Sequence, residues 1–185
     1  MEINFQQHKD ALYSTLEDAY GKVVYTYTTH IIHASRLKKR NTALKWLQII
    51  LSAVSTGGFL GSVITNQIVL IWLGGLCSTA LLVLTAYFKD SEFSNIYMRH
   101  LVTSNDLWFV REEYVALLTD FPTLPIDEVI KKRDKLREKT SKIYKNAPIT
   151  DVKSYALAQK AIKNNESQFF SREELNQMLP DKLRK

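Results

Sequence analysis

The chain has 185 residues, a net charge of +6 and 45% hydrophobic residues, which fits one domain of ordinary size. Its only cysteine, Cys77, excludes an intrachain disulfide. The basic excess comes without interleaved aromatics or a recognisable motif, so it does not point to a nucleic-acid polymer as partner.

Met1 to Asn4 form no basic n-region and lead into no apolar h-region, so no cleavable signal peptide is expected and the first span acts as its own insertion signal. Phe5 to Arg40 reads as one long helix. Phe5, Leu12, Leu16, Ala19, Tyr20, Val23, Tyr27, Ile31, Ala34 and Leu37 recur in steps of three, four and seven, which places them on one face. Lys9, Asp10, Glu17, Asp18, Lys22 and Arg36 take the opposite face. A single apolar stripe of that length requires partner helices.

The basic cluster Arg36, Lys38, Lys39 and Arg40, with Lys45 beyond it, marks a membrane boundary, and Trp46 follows at the interfacial level. From Trp46 to Phe88 there is no Asp, Glu, Lys, Arg or His. A membrane-crossing helix needs about 20 apolar residues, so this stretch holds two spans, about 46–64 and 68–88, joined by the turn Thr65, Asn66, Gln67. So short a turn requires an antiparallel hairpin. Basic residues flank the outer ends of both spans and the turn carries no charge, so the positive-inside rule places both termini in the cytoplasm. With no ionisable group at depth, transport through one protomer is not expected, and any pore would be built from several copies.

A second long helix is expected from Lys89 to Asp120, with Phe93, Ile96, Tyr97, Leu101, Leu107, Trp108, Val115, Leu118 and Phe121 on its apolar side. Packed on the first helix, it extends the hairpin as a coiled-coil-like cytoplasmic stalk. Pro122 and Pro125 end it. A highly charged helix over Asp127 to Lys145 follows, then one capped by Thr150 or Asp151 and running to Asn164 or Asn165. A short last helix begins at the capping box Ser171/Glu174 and stops before Pro180. The expected fold is an all-α membrane protein: a two-helix transmembrane hairpin extended into a helical stalk over residues 1–121, with a small helical tail over 122–185.

Small residues recur within the spans. Ala53, Gly57 and Gly61 are spaced four apart, Gly58 widens their face, and Gly74 with Ser78 offers a matching pair. Such residues let backbones approach closely, which is the main attraction between helices already in lipid; they serve either the hairpin itself or self-association into a homo-oligomer. His30 and His33 lie one turn apart, no Cys or third His stands near them and His100 is the only other candidate in the stalk, so they are read as polar positions beside a stripe rather than as metal ligands. Glu112 and Glu113 are neighbours and diverge by about 100° on a helix instead of converging on a substrate. Lys131, Lys132, Arg133, Lys135, Arg137 and Lys139, diluted by Asp134 and Glu138, form a solvated surface or lie near anionic groups. No catalytic motif, metal set or cofactor signature is present, and no enzymatic activity is expected.

The ordering of these elements resembles the SLATT proteins, a group of bacterial two-transmembrane effectors. The features that carry the likeness are the basic helix end His33–Arg40, the two spans with a minimal turn, the segment Ser104–Tyr114, the segment Lys142–Pro148, and the segments Ser171–Leu175 and Met178–Pro180. The resemblance implies an inner-membrane effector of anti-phage systems encoded beside cyclic-oligonucleotide synthases. It would act on the lipid bilayer by oligomerisation and membrane disruption or pore formation, with a cyclic oligonucleotide as candidate ligand and no catalytic residues or cofactor. The helical tail offers no separate sensor domain. The alternative is a membrane-anchored scaffold that recruits a cytoplasmic partner and leaves the bilayer intact.

The charge asymmetry makes a direct prediction. A cysteine at Asn66 reacts with a membrane-impermeant reagent added outside intact cells, and one at Asn41 does not; the reverse labelling pattern overturns the orientation.

Overall fold

The computed structural model describes residues 2–90, 93–164, 170–180 and 184, with residues 2–4, 89, 90 and 93 described by their backbone. The expected apolar side chain at Phe93, the flanking charge at Lys89 and the alternative helix end at Asn165 therefore lie outside what is described. Six helices follow in order: α1 Glu2–Thr65, α2 Ile68–Asp90, α3 Phe93–Asp120, α4 Ile126–Asn146, α5 Val152–Asn164 and α6 Arg172–Met178. There is no strand among the described residues. The fold is all-α.

α1 is longer than expected. A break was anticipated after Arg40, but helix runs on into the first span. The physical reason is local: Asn41 to Lys45 contain neither glycine nor proline, so no residue there withdraws a backbone donor or favours a turn. α1 ends only at Asn66, whose φ of 52° lies in the left-handed region. Asparagine tolerates that region better than most side chains. The Asn66 N–H donates to the Ser62 carbonyl at 2.9 Å, and Leu70 N–H donates to Gln67 O at 3.1 Å as α2 begins. The turn is thus closed by backbone bonds with two residues between helices.

Packing divides the chain into two units, residues 1–33 with 100–185 and residues 34–99. In the first unit, Leu12, Leu16 and Val23 of α1 form a core with Leu107, Val110, Tyr114, Leu117 and Phe121 of α3. Of the stripe anticipated on α1, Leu12, Leu16 and Val23 pack here while Phe5 is exposed; of that on α3, Leu107 and Phe121 do, but Ile96, Trp108 and Val115 are exposed, and Val110, Tyr114 and Leu117 take the core face instead. Each fully buried aliphatic side chain contributes about 1.5–3 kcal/mol. The Tyr13 and Phe121 rings meet edge to face at 5.0 Å, and Lys9 Nζ lies 5.7 Å above the Phe121 ring.

α4 enters the same core through Val129 and Leu136, which are 1% and 5% exposed. Its charged residues occupy the rest of its circumference, so the helix is amphipathic rather than solvated all round. Pro122 and Pro125 bracket the tight connection: Thr123 N–H and Leu124 N–H both donate to the Asp120 carbonyl. α5 begins where Asp151 Oδ1 accepts from the Ser154 N–H at 2.6 Å, the cap anticipated there. Its buried residues, Ser154 and Ala158, are small and four apart, which lets the helix lie close to its neighbours. α6 has the complete capping box, Ser171 Oγ accepting from Glu174 N–H and Glu174 accepting from Ser171 N–H.

Candidate functional site

The second unit consists of the two apolar helices. Both satisfy length and composition for a membrane span, and only 6% of each apolar window is buried within the protein. That low burial separates them from core helices of a soluble fold, whose apolar residues are covered by protein. Leu76 is 71% exposed and Leu82 70% exposed. These helices are made for an apolar solvent.

Where they touch each other, the contact follows a heptad. The less exposed positions of α1 are Asn41, Leu44, Gln48, Leu51, Ser55, Gly58 and Ser62, stepping three and four alternately, with Gly61 beside them. Those of α2 are Leu70, Gly74, Cys77, Leu81, Leu84 and Phe88, in the same rhythm. This is the seam of an antiparallel helix pair packed ridge into groove. Three polar contacts fix its register. Ser55 Oγ donates to the Gly74 carbonyl at 3.1 Å, Gln48 Nε2 donates to Thr85 Oγ1 at 3.3 Å, and Arg40 Nη2 donates to the Tyr87 hydroxyl at 3.3 Å. Other hydroxyls bond backwards within their helix, such as Thr65 to Gly61 O, Thr79 to Gly75 O and Thr85 to Leu81 O. A hydroxyl in an apolar medium needs that satisfaction.

The small residues fall into two groups that sequence spacing treated together. Gly58 and Gly74 lie on the seam. A Cβ at Gly58 would sit 3.2 Å from the Leu70 carbonyl oxygen and 3.4 Å from Gly74 Cα, and one at Gly74 would sit 3.2 Å from the Ser55 carbonyl oxygen. These two glycines permit backbone contact between the helices. Gly61 faces the Leu70 side chain, whose Cδ1 would lie 3.3 Å from an added Cβ. Gly57 and Gly75 would meet nothing within 4 Å. Ala53 and Ser78 are exposed with them. Beside Ala53 runs a groove of about 470 Å³ lined by Gln48, Ser52, Thr56, Leu81 and Thr85. It is an outward groove of amide and hydroxyl groups on an otherwise apolar surface.

Of the juxtamembrane cations, Lys38, Lys39, Arg40 and Lys45 are exposed and Arg36 is half-buried. On α4 the basic run is largely compensated: Lys132 pairs with Glu128 at 3.3 Å, Arg133 with Asp134 at 2.9 Å, and Lys139 with Glu113 of α3. Arg111 pairs with Glu112. Glu112 and Glu113 thus take different partners, as their divergence on the helix required. Exposed pairs of this kind contribute about 0–1 kcal/mol each.

The histidines are where the structure departs most from the sequence reading. His30, His33 and His100 come together in the first unit. His30 Nδ1 and His100 Nδ1 are 2.9 Å apart, and the His33 ring stacks on His100 at 4.2 Å between centroids and 13° between planes. Asp151 N–H donates to His33 Nδ1 at 3.3 Å, and Asp151 Oδ1 lies 3.6 Å from the same nitrogen. His30 and His100 are 2% and 1% exposed, so they are core residues and not positions beside the stripe. Sequence gave no cue, because His100 is brought to the pair only by the antiparallel pairing of α1 and α3. Near them in sequence Thr28, Thr29, Thr103 and Ser104 are buried, as is Ser154 three residues after Asp151, so this end of the core is richer in polar side chains. Burial, aided by the neighbouring His33, pushes the His30 imidazole down to about 4. The three rings do not converge on a point, and no group of three or more His, Cys, Asp or Glu suited to a metal ion occurs among the described residues.

A family profile described as "SMODS and SLOG-associating 2TM effector domain family 4" matches residues 12–174, most of the chain and both units. No curated protein and no solved structure matches it.

The division of the glycines is testable. Gly58→Leu drives a side chain into backbone and costs about 1–3 kcal/mol of hairpin packing, whereas Gly57→Leu leaves the hairpin closed. In a chain with Cys77 replaced by Ala, oxidative cross-linking between cysteines at Gln48 and Thr85 falls in Gly58→Leu and is retained in Gly57→Leu. Equal yields in the two would show that the seam is wrongly assigned.

Proposed function

Because the chain belongs to the family of SMODS and SLOG-associating two-transmembrane effector domains, we propose that it is a non-enzymatic, membrane-embedded effector of a bacterial anti-phage system. It acts when copies of its hairpin associate and disrupt the inner membrane. The observation that supports this most is the outward surface of the hairpin. Gly57, Gly75 and Ala53 are open, and the groove lined by Gln48, Ser52, Thr56 and Thr85 puts amide and hydroxyl groups on the outward face of the hairpin. In a bilayer those groups gain by meeting another helix rather than acyl chains, through close packing and interhelical hydrogen bonds of about 0.6–2 kcal/mol each. Association also supplies what one protomer lacks, since no charged group lies between Trp46 and Phe88 to serve an ion path. The basic flanks favour a cytoplasmic location for both termini.

The trigger is a cytoplasmic signal, and a cyclic oligonucleotide produced by a neighbouring synthase is its proposed chemical class. For such a signal to act, it must bind the damaging arrangement better than the harmless one. The scaffold reading has an observation of its own. On α3, Val102 and Phe109 are 52% and 57% exposed, apolar side chains of the first unit on which a soluble partner could sit.

Membrane potential separates the two. Cells carrying the protein together with its synthase depolarise on infection, while cells with either component alone stay polarised, and Gly57→Leu abolishes the depolarisation without removing the protein from the membrane. Retained potential with both components present and the nucleotide detected would favour the scaffold.

A further inference from the structure

Where α1, α3 and α4 meet in the first unit they leave a cavity of about 450 Å³, a volume within the range of roughly 300–1,000 Å³ that small-molecule sites occupy. Its inner wall is apolar. Val23 of α1 and Tyr114 of α3, 1% and 3% exposed, form it together with Ala19, one turn before Val23. Its mouth is polar. On α4, Arg137, Ser141 and Lys145 are four apart, with Thr140 and Tyr144 as a second row beside them, so one stripe of that helix turns toward the cavity. Lys22 joins them from α1. The Tyr144 hydroxyl donates to Thr26 Oγ1 at 3.4 Å, and Thr26 in turn donates to the Lys22 carbonyl at 2.8 Å. The tyrosine is thereby tied to α1 while it lines the cavity.

The charge of this lining is one-sided. Lys22, Arg137 and Lys145 contribute three cations, and there is no carboxylate among the described lining residues. Lys22 already has Asp18 at 2.5 Å. Asp134 lies 4.0 Å from Arg137 Nη2 but is held by Arg133 at 2.9 Å. A positive charge of roughly two is left for an occupant, which matches a phosphate monoester at about −1.5 to −2 near neutral pH. The neighbouring cavity between α3 and α4, of about 440 Å³, is different. There Lys132, Lys135 and Lys139 meet Glu113 and Asp120, and Lys139 pairs with Glu113. Opposite charges in that lining cancel most of the attraction for an anion.

The two halves of the first cavity suit two halves of one ligand. An arginine fork and an ammonium group bind phosphate oxygens, and Ser141 adds a hydroxyl donor. Two tyrosines with Ala19 and Val23 offer a flat ring an apolar, aromatic surface. We propose that the cavity between α1, α3 and α4 binds a nucleoside phosphate, its phosphate held by Arg137 and Lys145 and its base against Val23, Tyr114 and Tyr144. Because the ligand touches three helices of the unit at once, its binding tightens their packing. A role for this site as receptor of the trigger rests on the effector reading above. The site itself is read by binding alone, so its failure leaves membrane action standing, and failure of depolarisation leaves the site standing.

The test is isothermal titration calorimetry of full-length protein in detergent micelles with adenosine 5′-monophosphate. Adenosine alone and inorganic phosphate alone, each lacking one half of the ligand, bind about tenfold or more weakly than the monophosphate. R137Q/K145Q, at two exposed positions, weakens the monophosphate by about tenfold or more, as loss of charge-assisted hydrogen bonds requires. S141W, which keeps every charge and fills the mouth, abolishes binding. K132Q/K135Q removes the same charge from the neighbouring cavity and leaves the affinity as in wild type. Water-soluble dibutyryl phosphatidic acid, a lipid phosphate monoester, competes no better than inorganic phosphate. The proposal is overturned if the monophosphate binds no tighter than inorganic phosphate, if R137Q/K145Q or S141W binds as wild type does, or if K132Q/K135Q weakens binding as much as R137Q/K145Q. It is overturned equally if the lipid phosphate displaces the nucleotide, which would make this a headgroup site.

Discussion

An uncharged stretch of two helix lengths has no way to hide inside a chain of this size. Between Trp46 and Phe88 the helices meet along one narrow seam, and the remaining faces carry leucine, isoleucine, valine, phenylalanine and tryptophan outward. In water that surface would cost about 25 cal/mol for every Å² exposed. In lipid it costs nothing, and the backbone is already satisfied inside each helix. The two-residue turn and the glycine contact at Gly58 and Gly74 follow from this constraint. So do the serine and threonine side chains that bond their own helix. Each polar atom must find a partner within reach, because the surroundings supply none.

The first unit answers to the opposite solvent. Its helices are amphipathic, and its core is conventional from Leu12 and Phe121 as far as Val23 and Leu107. Beyond that point, toward the residues that lead into the hairpin, the interior turns polar, with threonines, serines and three histidines replacing aliphatic side chains.

Much of this was legible in the sequence, for reasons that differ by element. The spans and their turn follow from the absence of charge, the α3 end from Pro122, and the α5 and α6 starts from Asp151 and the Ser171/Glu174 box. Those signals are local. Continuity of α1 past Arg40 was obscured because a basic cluster looks like a boundary, although charge does not break a helix. The seam was half legible: spacing groups Ala53, Gly57 and Gly61, but only packing against α2 shows that Gly58 faces inward and Gly57 outward. The burial of Val129 and Leu136 was masked by the charge around them. The histidine layer was not legible, because residues 30 and 100 meet only through the register of α1 on α3.

The central claim is that the exposed apolar faces of the hairpin are in contact with lipid. Nitroxide labels at Leu76, Leu82 and Asn66, in protein reconstituted into vesicles, report this through their relative accessibility to oxygen, which partitions into acyl chains, and to a water-soluble nickel complex. The account predicts that Leu76 and Leu82 favour oxygen strongly and Asn66 favours the nickel complex. Leu76 and Leu82 favouring the nickel complex would contradict it.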